Sequence, residues 1–222
     1  MSFGAEDVGG VTPAGSVAFD NLQGGPPPTE GWCPTSSFTD DFENAAVSHA
    51  WDMRASSSAD CAFVEQAGQL QFVHTGAAYT ACSVILASAY DLTEDSAVVE
   101  VPTVTAAEPH SHAWLRLEED GDNRLELEAH DTAMRFNYEQ LGSSFEVAAV
   151  PYDAVAHRWW RIREHAGTVY WETSPDGLTW TTHVSLPDPI AVTALDVRLG
   201  IECTTACVSA PSASFDNYNL RP

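Results

Sequence analysis

From residue 38 almost to its end, the chain alternates apolar and polar residues with a period of two. "FTDDFE", "QLQFVHT", "TACSVILASA", "AVVEVPTV", "AWLRLEE", "RLELEAH", "AMRFNYE", "FEVAAV", "WWRIREH", "TVYWETS", "LTWTTHVSL", "DVRLGIE" and "ASFDNYNL" are rich in β-branched and aromatic residues. They read as about a dozen strands, because side chains in a strand point alternately to its two faces. Only "NAAVSHAWDM" and "PIAVTAL" offer a helical turn. Strands with so little helix beside them must bury their apolar sides against another sheet. The pattern therefore predicts an all-β, antiparallel two-sheet sandwich. A hydrophobic content of 44% is enough for its core.

Two turns between the strands are specific. "EEDGDNR" is a hairpin tip around Asp120-Gly121. "TSPDGLTW" sets Pro175-Asp176-Gly177 between two aromatic strands, with Pro fixing one turn dihedral and Gly supplying positive φ. The second resembles an Asp-box one residue short, and it occurs once where a propeller would repeat it.

The chain of 222 residues carries 32 acids and 9 bases, all of them Arg, for a net charge of −23. Such a surface repels phosphate backbones and anionic membranes, so no nucleic-acid partner is expected. No run of about 20 apolar residues is present, so no membrane-spanning helix is expected. "MSFGAEDVGG" lacks the basic and apolar regions of a signal peptide. Of the five cysteines, Cys203 and Cys207 flank a short loop, and Cys61 and Cys82 bracket a hairpin. Disulfides Cys61-Cys82 and Cys203-Cys207 fit an oxidising, extracellular or cell-surface setting, with Cys33 left over.

"FTDDFE" followed by Trp51, then "GQLQF", "YDLT", "HRWWRIR", "TVYWETSPDGLTWT" and "SFDNYNL", resembles the concanavalin A-like lectin/glucanase superfamily. More narrowly it is similar to laminin G-like jelly-roll modules of bacterial secreted proteins. The resemblance, over about residues 36–222, implies a jelly-roll sandwich assigned to residues 32–222; residues 1–31 read by composition as an extension that holds one strand and a Gly/Pro linker. It also implies a carbohydrate ligand. The expected function is a non-catalytic, lectin-like module for binding glycans or surface polysaccharides, or for adhesion.

Strand phase gives the candidate binding face. Leu115, Leu117, Leu125, Leu127, Phe136, Trp160 and Trp171 point inward. Trp114, Arg116, Glu126, Glu128, His130, Arg135, Asn137, Trp159, Arg161 and Tyr170 then point outward. If their strands adjoin, aromatic rings for sugar stacking share one face with hydrogen-bonding groups. Cross-strand Arg–Glu pairing explains the same pattern.

An enzymatic alternative rests on "ELEAHD". Glucanases of the resembled superfamily carry Glu-x-Asp-x-x-Glu on one strand as nucleophile, helper and acid/base. Glu126, Glu128 and Asp131 occupy those slots as Glu-x-Glu-x-x-Asp, a mismatch on which no catalysis is expected. The resemblance further implies a structural Ca²⁺ near the first and last strands, where Asp40, Asp41, Glu43 and Asp216 offer hard oxygen ligands.

The closing phrase "SASFDNYNL" has an echo at "GSVAFDNLQ", residues 15–23, followed by the linker "GGPPPTEG". A donor strand of Val17, Phe19 and Leu22, reinforced through Cys33, would add to a neighbouring copy and build a filament head to tail. That structural-subunit reading is a further alternative.

Overall fold

The computed structural model describes residues 31–220, apart from positions 45, 49, 56–59, 75–79, 107–109, 131, 206 and 208–210 and the side chains of 53–55. Among the described residues fourteen strands follow one another. They are β1 (Trp51–Ala55), β2 (Cys61–Glu65), β3 (Leu70–His74), β4 (Thr80–Leu86), β5 (Ser96–Thr105), β6 (Ser111–Asp120) and β7 (Asn123–His130). Then come β8 (Ala133–Gln140), β9 (Ser143–Pro151), β10 (Trp159–Glu164), β11 (Thr168–Ser174), β12 (Thr181–Pro187), β13 (Asp196–Cys203) and β14 (Ser212–Asp216). One sheet has the order β1-β4-β13-β6-β7-β8-β9, the other β12-β11-β10-β5-β14-β3-β2. The paired strands are antiparallel throughout both sheets.

The alternation does what it implies. Ala113, Leu115 and Leu117 of β6, Leu125, Leu127 and Ala129 of β7, and Met134 and Phe136 of β8 fill the interior from one sheet. Trp160, Ile162, Val169, Trp171, Phe72 and Phe215 meet them from the other. Each large side chain so buried stabilises the fold by about 1.5–3 kcal/mol. A slip of one residue in β7 would expose all three of its apolar residues and bury its carboxylates, so the register is strongly specified.

Two expectations are corrected. None of the described residues of either candidate helical stretch is helical, and the one helical element among the described residues is a single 3-10 turn at Thr35–Ser37. Trp51 instead opens β1, where its indole donates to Asp40 Oδ2 at 3.0 Å and packs edge-on against Tyr218. "FTDDFE" makes only one bridge, Asp40 to Tyr218, because Phe42 adopts a left-handed φ of 49° that ends extension.

Both expected disulfides are present. Cys61–Cys82 ties β2 of one sheet to β4 of the other, and Cys203–Cys207 closes the loop after β13. Cys33 is an exposed free thiol. Val17, Phe19 and Leu22 lie outside the described residues.

Gly200 on β13 makes room for Trp114 of the neighbouring β6. A Cβ there would meet the Cys82 carbonyl and sit 2.6 Å from the Trp114 ring. Gly200→Ala is therefore expected to destabilise the fold by about 1–3 kcal/mol through overpacking. Chemical denaturation of the purified variant measures this, and unchanged stability would show that Trp114 moves aside freely.

Candidate active site

Three strands side by side, β13, β6 and β7, present a ladder of polar residues on the outer face of their sheet. Glu202, His112 and His130 form one cross-strand row. Gly200, Trp114, Glu128 and Arg135 form the next, and Arg198, Arg116, Glu126 and Asn137 the one after. β7 runs through this region without a register shift. Its third outward side chain after Glu126 and Glu128 is therefore His130. Asp131 lies outside the described residues.

Glu126 and Glu128 are nearly buried, at 4% and 8% exposure. Burial alone would raise the Glu126 pKa. Burial is the largest single influence, but it is outweighed jointly by the Arg116 guanidinium, which donates from Nε at 2.8 Å and from a second nitrogen, by a hydrogen bond from Glu128 and by the charges of Arg124, its Nε at 3.7 Å, and His112. Glu126 thus lies below the usual carboxylate range. Glu128 is pushed up to about 8, first by burial and then by the Glu126 charge beside it. At neutral pH one carboxyl of the pair is ionised and its neighbour protonated.

Two histidines flank Glu128. His130 Nε2 lies 2.8 Å from Glu128 Oε2. His112 Nε2 lies 3.8 Å from Glu128 Oε1 and 3.7 Å from Glu202 Oε2, and the two rings stack at 4.6 Å. Burial opposes ionisation of Glu202, yet His112 and Arg116 hold its pKa below the ordinary value. Neither His112 nor Glu202 was singled out from the sequence as a site residue. The outward phase of "HAWLRLE" and "DVRLGIE" was the available signal, but only the strand order sets the two side by side.

Beside the carboxylates opens a cleft of about 310 Å³, lined by Glu126, Glu128, Arg124, Arg135, Asn137 and Phe145 among others. Arg135 is held loosely, 3.4 Å from the half-exposed Glu146. Phe145 is 42% exposed and stacks on Tyr138 at 4.8 Å.

The expected single aromatic face does not form. Trp159, Arg161 and Tyr170 sit on β10 and β11 of the other sheet, away from Trp114, Arg116, Glu126, Glu128, His130, Arg135 and Asn137. Trp114 is buried beneath Arg116, whose guanidinium lies 4.2 Å from the ring centre, and Trp159 is only 4% exposed. Neither ring is open for sugar stacking. Phase tells which side of a strand a residue takes, but not which sheet the strand joins.

The implied calcium ligands do not assemble into a cage. Asp40 accepts from Phe42 N and Trp51 Nε1, one on each carboxylate oxygen, and Asp41 caps Glu43 N. Asp216 is raised to about 6, first by burial and then by nearby Glu100 and Glu43. Among the described residues no group of three or more His, Cys, Asp or Glu side chains is arranged to hold a metal ion.

No protein-family model matches the chain, and no curated protein matches it in sequence. Solved structures match it in fold. A Bacillus licheniformis β-glucanase has a TM-score of 0.61 at 13% identity, covering 87% of this chain and 100% of its own. A prokaryotic β-1,3-1,4-glucanase (lichenase) from a mouse hindgut metagenome gives 0.57 at 11%, covering 82% and 97%. A laminarinase from Flavobacterium sp. UMI-01 gives 0.60 at 5%, also covering 82% and 97%. These neighbours count against the expectation of a non-catalytic lectin-like or adhesion module, and with it the expectation of no enzyme, because the three named here are glucanases. At such identities the likeness is one of architecture: the chain is a concanavalin A-like jelly-roll sandwich.

Proposed function

We propose that this protein is a glycoside hydrolase cleaving a neutral β-glucan, with Glu126 and Glu128 as its working carboxyls. One observation carries the reading: two carboxyls on one strand face, beside a cleft, with pKa values driven apart. Glycosidases need such a division between an ionised carboxylate and a carboxylic acid. The glucanase neighbours support the choice of substrate class.

In the free protein the two carboxyls share a hydrogen bond. That is closer than the about 5–5.5 Å between nucleophile and acid in retaining enzymes. A sugar entering the cleft takes the place of this bond. Glu126 then attacks the anomeric carbon as Glu128 gives its proton to the departing glycosidic oxygen, and the carbon–oxygen bond breaks. Water hydrolyses the glycosyl–Glu126 ester, returning a proton to Glu128. The superfamily pattern gives Glu128 the helper slot. Its raised pKa suits it to donate, and His130 fixes the direction of its carboxyl. The charge of −23 and the carboxylates around the cleft disfavour uronic or sulfated polymers. Two disulfides fit an extracellular site of action, where structural polysaccharides are met. Among the described residues no helix is long and apolar enough to cross a membrane.

The test is reducing-end release from mixed-linkage β-glucan and laminarin, with polygalacturonate as the anionic control. Release from a neutral glucan and none from the control is expected. No release from any neutral β-glucan would refute the reading.

A further inference from the structure

The Ser174–Trp180 turn has no part in the carboxylate site, since it belongs to the opposite sheet. It leads from β11 into β12 and is tightly fixed. Asp176 Oδ1 accepts from Leu178 N at 2.9 Å, Thr179 N at 2.7 Å and the Ser174 hydroxyl at 2.9 Å. These donors hold its pKa down to about 2. Gly177 takes the positive φ of 71° that the turn requires. A turn this rigid would not need an apolar tip, yet it presents Leu178 at 68% exposure and a half-buried Trp180.

Both residues line a cleft of about 390 Å³. Its floor is Ser96 and Val98 of β5 with Arg161 of β10, and Asn219 lies across from the turn. The cleft is braced on every side. Arg161 lies 3.9 Å from the Trp180 ring centre and donates to the buried Glu172 at 2.6 Å. Asn219 donates to the Thr35 and Phe38 carbonyls and accepts from Val98 N. Asp95 accepts from the Thr35 hydroxyl and Ser36 N. Arg161 shares Glu172 with Arg163, and the Asp95 carboxylate also lines the cleft, so charges of both signs meet there and no one kind of ion is favoured. It offers a half-buried aromatic ring that Arg161 covers on one face, an exposed aliphatic tip and small polar groups. Its volume lies at the low end of small-molecule sites, room for one or two sugar residues. Rigid aromatic anchors of this kind bind at small entropic cost.

We infer that this cleft is a second, non-catalytic saccharide site that holds a neutral polysaccharide while the opposite face cuts it. The inference rests on the proposed hydrolase only for the choice of polymer. The experiment uses the full chain carrying Glu126→Gln, so that the polymer stays intact, and measures its retention on insoluble β-1,3-glucan particles. Adding Trp180→Ala is expected to lower retention about tenfold, with Trp180→Phe keeping most of it. In the active protein, Trp180→Ala should leave kcat/KM on a soluble oligosaccharide unchanged and slow release from the particles. Retention unchanged by Trp180→Ala, or no retention of the parent, overturns the second site even if glucan is hydrolysed. Retention that depends on Trp180 in a protein hydrolysing no glucan upholds the cleft and refutes the hydrolase reading alone.

Discussion

Glu126→Gln is expected to lower glucan hydrolysis by about 10⁴-fold or more, the scale on which nucleophile loss acts in enzymes whose groups work as a unit. The substitution keeps shape and removes charge. Arg116 loses its carboxylate at 2.8 Å but keeps Glu202 at 3.8 Å, so the guanidinium is not stranded. The fold should survive with a modest loss of stability, because removing one partner of a buried ion pair is costly only when nothing remains to face the other. Turnover measured beside a melting curve separates the two effects. Hydrolysis that persists in a folded Glu126→Gln variant would remove Glu126 from the mechanism.

Glu128→Gln should have the opposite signature in stability. Glu128 is raised to about 8 in the folded chain, against about 4.3 for an unperturbed Glu. Between these values the unfolded chain releases a proton that the folded chain retains. Stability from this group is complete below the lower value and is lost as pH rises through the upper one. A neutral amide can still bond to Glu126 and His130 and escapes that loss. The variant should therefore melt above the parent at pH 8–9, by about 2–4 °C for each kcal/mol relieved, and level with it near pH 4. It should also lose about 10²–10⁴-fold in activity, as removal of a general acid does. In the parent, kcat/KM should fall as pH rises past about 8, where Glu128 loses its proton. Equal melting of the two proteins at every pH would contradict the placement of that proton.

Much of this arrangement was legible in the sequence. In β6 and β7 the inward Leu115, Leu117, Leu125 and Leu127 fix the phase of every outward neighbour, so Arg116, Glu126, Glu128 and His130 were placed correctly on one face. Loop-like spacing sufficed for the Cys203–Cys207 bond. What period two cannot carry is which sheet a strand joins. Trp159 and Tyr170 have the outward phase expected of them, yet β10 and β11 pair with β5 and β12 and never with β6. Outward phase also does not mean exposure: Gly200 lets Trp114 lie down, and Arg116 covers it. The strand reading of residues 38–43 failed for a local reason, since Phe42 leaves extended space and fills the core. Glu202 escaped notice because its importance comes from standing beside His112, some 90 residues earlier in the chain, a proximity that only the sheet order creates.

The unequal charge of Glu126 and Glu128 is the point on which the mechanism turns. Carbon-13 NMR of the resting protein, labelled at the Glu carboxyls and assigned through Glu128→Gln, follows both groups as pH changes. Glu128 should titrate near 8 and Glu126 below the ordinary carboxylate range. A Glu128 midpoint at about 4–5, like that of an unperturbed Glu, would contradict the split pair and the chemistry built on it.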